Sequence, residues 1–165
     1  MSVSKKNTGK VLKVIDPIEC VWGLICRMSS VDQRTNNISL FNIIEQFNLP
    51  ADYFIKQKEA KQPLLFPGPY EVILHWRRKL DIKISNEEIS ADLKVSTISP
   101  DGITLMEMNS PIKLPMGKKN LRFNMEWPGL RANVPGDYIK RVEVKFSADK
   151  EFRFVCEIPF TVVMV

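Results

Sequence analysis

Ile89-Ser-Ala-Asp-Leu-Lys-Val-Ser-Thr-Ile-Ser-Pro-Asp-Gly-Ile-Thr-Leu-Met-Glu-Met108 is the stretch that decides the fold. Ile89, Ala91, Leu93, Val95 and Thr97 alternate with Ser90, Asp92, Lys94 and Ser96. A two-residue period places the first set on one face of a strand and the second on the other. Ser99-Pro-Asp-Gly102 carries Pro and Gly where a type I turn favours them, and Ile103–Met108 is the return strand. The stretch reads as an antiparallel hairpin with one packed face and one face in water.

The pattern continues on both sides. Tyr70, Val72, Leu74 and Trp76 alternate with Glu71, His75 and Arg77 within Tyr70–Leu80. Leu121, Phe123, Met125 and Trp127 alternate with Arg122, Asn124 and Glu126. After Pro135-Gly-Asp137 come Tyr138, Val142, Val144 and Phe146. A turn at Ser147–Lys150 then leads to Phe152, Phe154, Cys156, Ile158 and Phe160 on one face, a second hairpin. Near the start, Cys20–Met28 is apolar on both faces, which predicts a central strand. A polar turn at Asp32–Asn37 joins it to Ile38–Phe47. That segment also fits a helix through Leu40, Ile43, Ile44 and Phe47, but its β-branched content favours a strand.

Two segments break the rhythm. Residues 109–120, with Pro111, Pro115 and Gly117, read as a loop. Residues 48–68 read as a short helix with Pro50 at its first turn or as an irregular excursion. Pro63, Pro67 and Pro69 around Gly68 then force extended or turn geometry. The sum is about eight strands. They predict an all-β chain with a single antiparallel two-sheet β-sandwich, Ig-like or C2-like, over residues 13–165. A short helix is accommodated in 50–60, and a barrel is the alternative closure. Residues 1–12, rich in Lys, Ser and Asn, are expected to form a disordered lead-in.

Composition agrees with one globular domain. The chain has 165 residues, 44% hydrophobic and 26% charged. A domain of this size buries roughly 70% of its unfolded surface without metal or disulfide support. The net charge of +5, from 24 Lys+Arg against 19 Asp+Glu, is mild and spread along the chain. Its local clusters are Lys5/Lys6/Lys10/Lys13, Lys56/Lys58/Lys61 and Arg77/Arg78/Lys79. Three cysteines, Cys20, Cys26 and Cys156, make no disulfide framework and no zinc spacing; they read as buried or half-buried thiols in a reducing compartment. Cys20 and Cys26 lie about 20 Å apart along one strand. No signal-peptide core and no run of ~18 apolar residues occurs, so a cytoplasmic location is the expectation.

Chemistry-bearing motifs are absent. The glycines form no phosphate loop, and HExxH, CxxC and GxSxG do not occur. The single histidine, His75, sits mid-strand on the face opposite Trp76 and reads as an exposed strand residue. Asp101, Asp137 and Asp149 fall in turns, where Asp is ordinary, although loop aspartates on a sandwich can bind calcium. Catalytic residues, cofactor and metal are all expected to be none.

Several blocks do stand in a familiar order. Cys26 precedes a polar turn. Asn36-Asn-Ile-Ser-Leu-Phe-Asn-Ile-Ile44 follows, then Trp127-Pro-Gly-Leu130, Pro135-Gly-Asp-Tyr138 and Glu157-Ile-Pro-Phe-Thr-Val162. This resembles a family of uncharacterised small bacterial β-sandwich proteins. Its members pair an early "Cys-Asp … Gly-Lys … Ser-Leu-Ile-Gly-Ile-Phe" block with a late Pro-Gly-x-Tyr strand and an apolar final strand. The resemblance covers residues 20–164. Arg27 stands where the family has Asp, Asn37 replaces a turn glycine, and Asn42 replaces the glycine before the second apolar pair. The resemblance implies a bacterial, cytoplasmic sandwich and carries over no catalytic residue.

The function expected from these readings is a non-enzymatic protein–protein interaction or assembly module, binding a protein partner or itself. Tyr53, Phe54, Leu64, Leu65 and Phe66 are its candidate contacts if they are exposed together; folded back, they would be a core lid. The alternative is a nucleic-acid or anionic-surface binder using Lys56, Lys58, Lys61, Arg77, Arg78 and Lys79, with Trp76 beside the arginines. An enzyme built from scattered loop carboxylates ranks last.

Overall fold

Nine strands and one helix make up the described residues: β1 Ile18–Val31, β2 Ile38–Ile43, β3 Gln46–Leu49, α1 Ala51–Glu59, β4 Leu65–Arg78, β5 Ile89–Ile98, β6 Thr104–Leu114, β7 Asn120–Arg131, β8 Gly136–Phe146 and β9 Arg153–Met164. The computed structural model describes residues 16–60, 63–79 and 87–165. The lead-in read over residues 1–12, Leu80 and Lys61 lie outside them.

The strands form a two-sheet sandwich. One sheet has the order β2-β1-β4-β7 and the other β3-β9-β8-β5-β6. Both are antiparallel except for β3, which runs parallel to β9. The two expected hairpins are present as β5–β6 and β8–β9. Inward residues of both sheets fill one core, including Val72, Leu74 and Trp76 of β4, Leu93 and Val95 of β5, and Trp127 of β7. Alternation creates this core because every second side chain of each strand points between the sheets.

The ninth strand comes from 38–47, which is two strands. Ile44 donates its N–H to the Ile25 carbonyl in one sheet, while the Glu45 carbonyl accepts from Thr161 N–H in the other. The chain changes sheets between these neighbours. Its apolar residues therefore serve two strands, which is why their spacing mimicked a helix.

Other expectations shift for local reasons. Residues 109–114 continue β6 rather than forming a loop; β6 is an edge strand, where Pro111 is tolerated. A bulge changes the phase of β9: Val142 pairs with Cys156, but Glu143 pairs with Phe154. Phe154 is accordingly 63% exposed instead of sharing the core face with Ile158 and Phe160. Pro50 is the residue before helix α1, which forms as the helical reading of 48–68 required.

That helix closes one end of the sandwich. Tyr53 and Phe54 are buried, and Tyr53 packs edge-on against Phe54 and Phe66. The Tyr53 hydroxyl donates to the Leu64 carbonyl at 2.7 Å, lies 3.0 Å from the Ala132 carbonyl and accepts from Ala132 N–H. Gln57 accepts from Leu64 N–H at 2.6 Å. The segment is thus hydrogen-bonded down as a lid. On the neighbouring strand an added Cβ at Gly129 would lie 2.3 Å from the Phe66 carbonyl oxygen, so only glycine lets β4 and β7 meet there.

One core residue is unexpected. Lys140 on β8 shares the inward face with Tyr138 and Val142 and is fully buried. Its amine donates to the Tyr70 hydroxyl at 2.7 Å and Thr97 Oγ1 at 2.6 Å, and lies 3.2 Å from the Trp127 ring centroid. Burial pushes its pKa well below the ordinary lysine value.

Candidate functional site

The outer face of the β2-β1-β4-β7 sheet carries the site, because the end of β1 folds back over it. β1 pairs with β4 from Ile18 to Cys26; beyond that point it pairs only with β2. The bend lies between the pairs Cys26–Ile43 and Met28–Phe41. Asn42, on the partner strand at that point, has φ 52°, a left-handed backbone that asparagine tolerates better than most residues.

Polar contacts hold the resulting flap against the sheet. Ser29 donates to Glu71 Oε2 at 2.5 Å, and Asn124 donates to the same oxygen at 3.0 Å. Arg122 of β7 donates to the carbonyl of Asn36 and, at 2.6 Å, to Asn36 Oδ1. The hairpin turn is stiffened from within, since Asp32 Oδ1 accepts from the Arg34 and Thr35 N–H groups at 2.8 Å. These two bonds lower the Asp32 pKa.

Between flap and sheet lies a cleft of about 850 Å³. Trp22, His75, Leu121 and Arg122 contribute from the sheet. Val31, Gln33, Asn36 and Ile38 contribute from the flap, and Pro115, Lys118 and Asn120 stand at the β6–β7 end. The floor follows from register: Trp22 pairs with His75, and His75 with Arg122, so three adjacent strands point these side chains outward together. The Trp22 and His75 rings are 5.2 Å apart and tilted by 46°.

The electrostatics of the cleft are one-sided. Its described lining includes Arg122 and Lys118 but no aspartate or glutamate. Burial, with the charges of Arg122 and Arg77 nearby, lowers the His75 pKa and so favours the neutral ring. His75 Nδ1 is buried and has no hydrogen-bond partner among the described residues. Such an atom costs free energy until something satisfies it. An aromatic ring, the amides of Asn36, Asn120 and Gln33, and two cations suit a polar anion with a flat face.

The structure scatters the sequence-predicted sites. Tyr53 and Phe54 are core residues and Phe66 is half-buried against the core, so the segment folds back as a lid and the condition for a joint exposed contact is not met; Leu64 and Leu65 alone remain exposed. Lys56 pairs with Asp52 on α1, and Lys58 is exposed on the same helix. Arg77 binds Glu19 through two nitrogens, at 2.8 and 2.5 Å. Arg78 is buried and donates to the carbonyls of Lys118, Glu87 and Pro115, a structural role instead of a phosphate contact. Lys79 is half-buried, its N–H bonded to the Pro17 carbonyl. The helix lysines and Arg77–Lys79 flank opposite ends of β4, roughly 40 Å apart at strand rise, so they form no single stripe. Trp76 is buried. Asp101, Asp137 and Asp149 each bond within their own surroundings, to Asn133, Thr161 and the Phe146 N–H respectively.

Residues missed from sequence include Trp22, Arg122, Asn36, Asn120 and Lys118. Arg122 and His75 were both read as outward-facing, and that was the available signal. Their convergence depends on strand order and on the flap, which no local pattern encodes.

The fold is thus that of an all-β sandwich with a roofed outer face. No family model matches the chain, and no curated protein matches it. Among solved structures, it is similar to one described as the C-terminal domain of wzt, at 9% identity and a TM-score of 0.45, covering 89% of this chain and 74% of that one. No helix among the described residues is long and apolar enough to cross a membrane.

Proposed function

We propose that the protein is a non-catalytic binding module that takes a polar, anionic ligand in the cleft beneath the β1–β2 flap. The observation that carries this reading is the composition of the cleft: Arg122 and Lys118 line it together with Trp22 and His75, with no carboxylate among the described lining residues. A cleft of this size holds a small molecule or a short segment of a polymer. The anionic chemistry retains the sequence-based alternative but moves it from Arg77–Lys79 to Arg122 and Lys118.

Calorimetric titration with citrate, a nucleoside monophosphate and a short uronic-acid oligomer tests it. At least one binds, more weakly as salt rises, and Arg122→Gln lowers its affinity about tenfold or more. Equal binding of neutral analogues, or unchanged affinity in Arg122→Gln, overturns it.

A second reading keeps the interaction module and places it on the flap. Met28, Phe41 and Ile43 are exposed there, and β2 is an edge strand. An exposed apolar edge is a template for antiparallel pairing with a second copy. Sedimentation velocity separates the cases: a dimer lost in Phe41→Lys supports pairing, and a monomer at all concentrations excludes it.

A further inference from the structure

Cys20 on β1 and Cys156 on β9 belong to different sheets, yet their sulfurs are 3.8 Å apart. Both are free and half-buried. The approach is built into the packing. At Gly23 of β1 an added Cβ would lie 2.8 Å from Ile158 Cδ1, so the missing side chain lets β9 draw close. Ile158 is two residues beyond Cys156. Bulges adjoin both cysteines, between Cys20 and Trp22 on β1 and at the Cys156 pairing on β9. Cys20 also donates to the Trp22 carbonyl at 3.4 Å. The third cysteine, Cys26, is fully buried and paired in register with Glu71 and Ile43.

The two thiols differ in reactivity. Hydrogen bonding between them, with burial, raises the Cys20 pKa, and the same bond lowers that of Cys156. Cys156 is the better nucleophile because the thiolate is the reacting form.

We infer that Cys20 and Cys156 form a reversible inter-sheet disulfide on exposure to a low-molecular-weight disulfide. The Cys156 thiolate attacks one sulfur of the oxidant, forming a mixed disulfide and releasing one small thiolate. Cys20 then loses its proton to that thiolate and attacks Cys156 Sγ, expelling the second. Two protein thiols are oxidised, and one small disulfide is reduced to two thiols. The sulfurs need only close from 3.8 Å to about 2.05 Å. Oxidation also removes the thiol donor from the Trp22 carbonyl.

The test treats the full chain with oxidised glutathione, alkylates it, digests without reduction and maps peptides by mass spectrometry. A Cys20–Cys156 linked peptide is expected, in monomeric protein, with Cys26 left as a thiol. The Tm rises by roughly 5–10 °C, because the bond closes a long loop, and falls back with dithiothreitol. Cys20→Ser accumulates a glutathione adduct on Cys156, and neither serine variant shows the Tm rise. Persistent mixed disulfides in the unsubstituted protein, linkage through Cys26, or three free thiols after treatment overturn the inference. Anion binding in the reduced protein is independent of all these outcomes.

Discussion

Two regions of this sandwich place a basic side chain beside a tryptophan, and they differ in what covers them. Between the sheets, Lys140 lies on Trp127 with the Tyr70 and Thr97 hydroxyls as partners, and none of it reaches solvent. On the outer face, Arg122 and Lys118 share a cleft with Trp22. Lys140 and Arg122 both sit on strands of the same alternation. The inner one is closed by a whole second sheet, which excludes water and disfavours charge on the amine. The outer one is roofed by a two-stranded flap, which leaves about 850 Å³ open. Covering layer, more than residue type, decides whether a basic residue becomes a structural element or a ligand contact.

The largest expected effect comes from unsealing the inner region. Phe54 is buried at the end closed by α1. Phe54→Ser leaves a cavity and buries a hydroxyl, and should cost about 3–5 kcal/mol of stability. Urea denaturation checks this. Where the variant stays folded, anion affinity at the distant cleft should be unchanged. A variant of normal stability that has lost a protein partner would instead make the segment a contact surface.

Lys140 gives the next effect, through pH. Burial lowers its folded pKa well below 10.5, while in the unfolded chain it stays near about 10.4. Between those values the unfolded chain binds the extra proton. Stability from this residue is therefore complete above the unfolded pKa and is lost as pH falls toward the folded one, by up to about 1.4 kcal/mol per unit. Subtracting the stability–pH curve of Lys140→Met should expose a slope that rises with pH over the range just below the unfolded pKa. A flat difference would mean that the core amine titrates as it does in water, and the contrast between the two regions would collapse.

These two regions also mark where reading the sequence succeeds. Period-two alternation in β4, β5, β7 and β8 identified the inward faces, because burial acts on each strand locally. It passed over Lys140, which falls in register with Tyr138 and Val142, because a lysine on an apolar face looks like noise until Tyr70 and Thr97 are known to meet it. It misjudged Phe154, because a bulge shifts the phase without leaving a mark in composition. Tyr53 and Phe54 were legible as apolar residues, but the choice between lid and contact depends on distant Ala132. The cleft was legible only in parts: His75 and Arg122 as outward residues, Asp32–Asn37 as a turn. That the turn comes to lie over the sheet is a long-range fact.

The smallest effect tests the bend that makes the outer region at all. Asn42 is exposed and holds φ 52° opposite the point where β1 leaves β4. Glycine adopts that backbone freely, so Asn42→Gly should leave stability within about 1 kcal/mol and keep the cleft. A β-branched residue resists it by about 1–2 kcal/mol. Asn42→Val can relieve that strain by straightening the hairpin, which pulls Asn36 away from Arg122 and lifts the roof. The expected result is a modest fall in Tm with a several-fold loss of anion affinity and no change in the pH slope assigned to Lys140. The Arg122–Asn36 contact can be followed separately through amide exchange at Asp32 and Asn36, whose N–H groups bond within the turn. If Asn42→Val binds as tightly as the unsubstituted protein, the flap does not form the site, and the sheet face alone would have to account for the ligand.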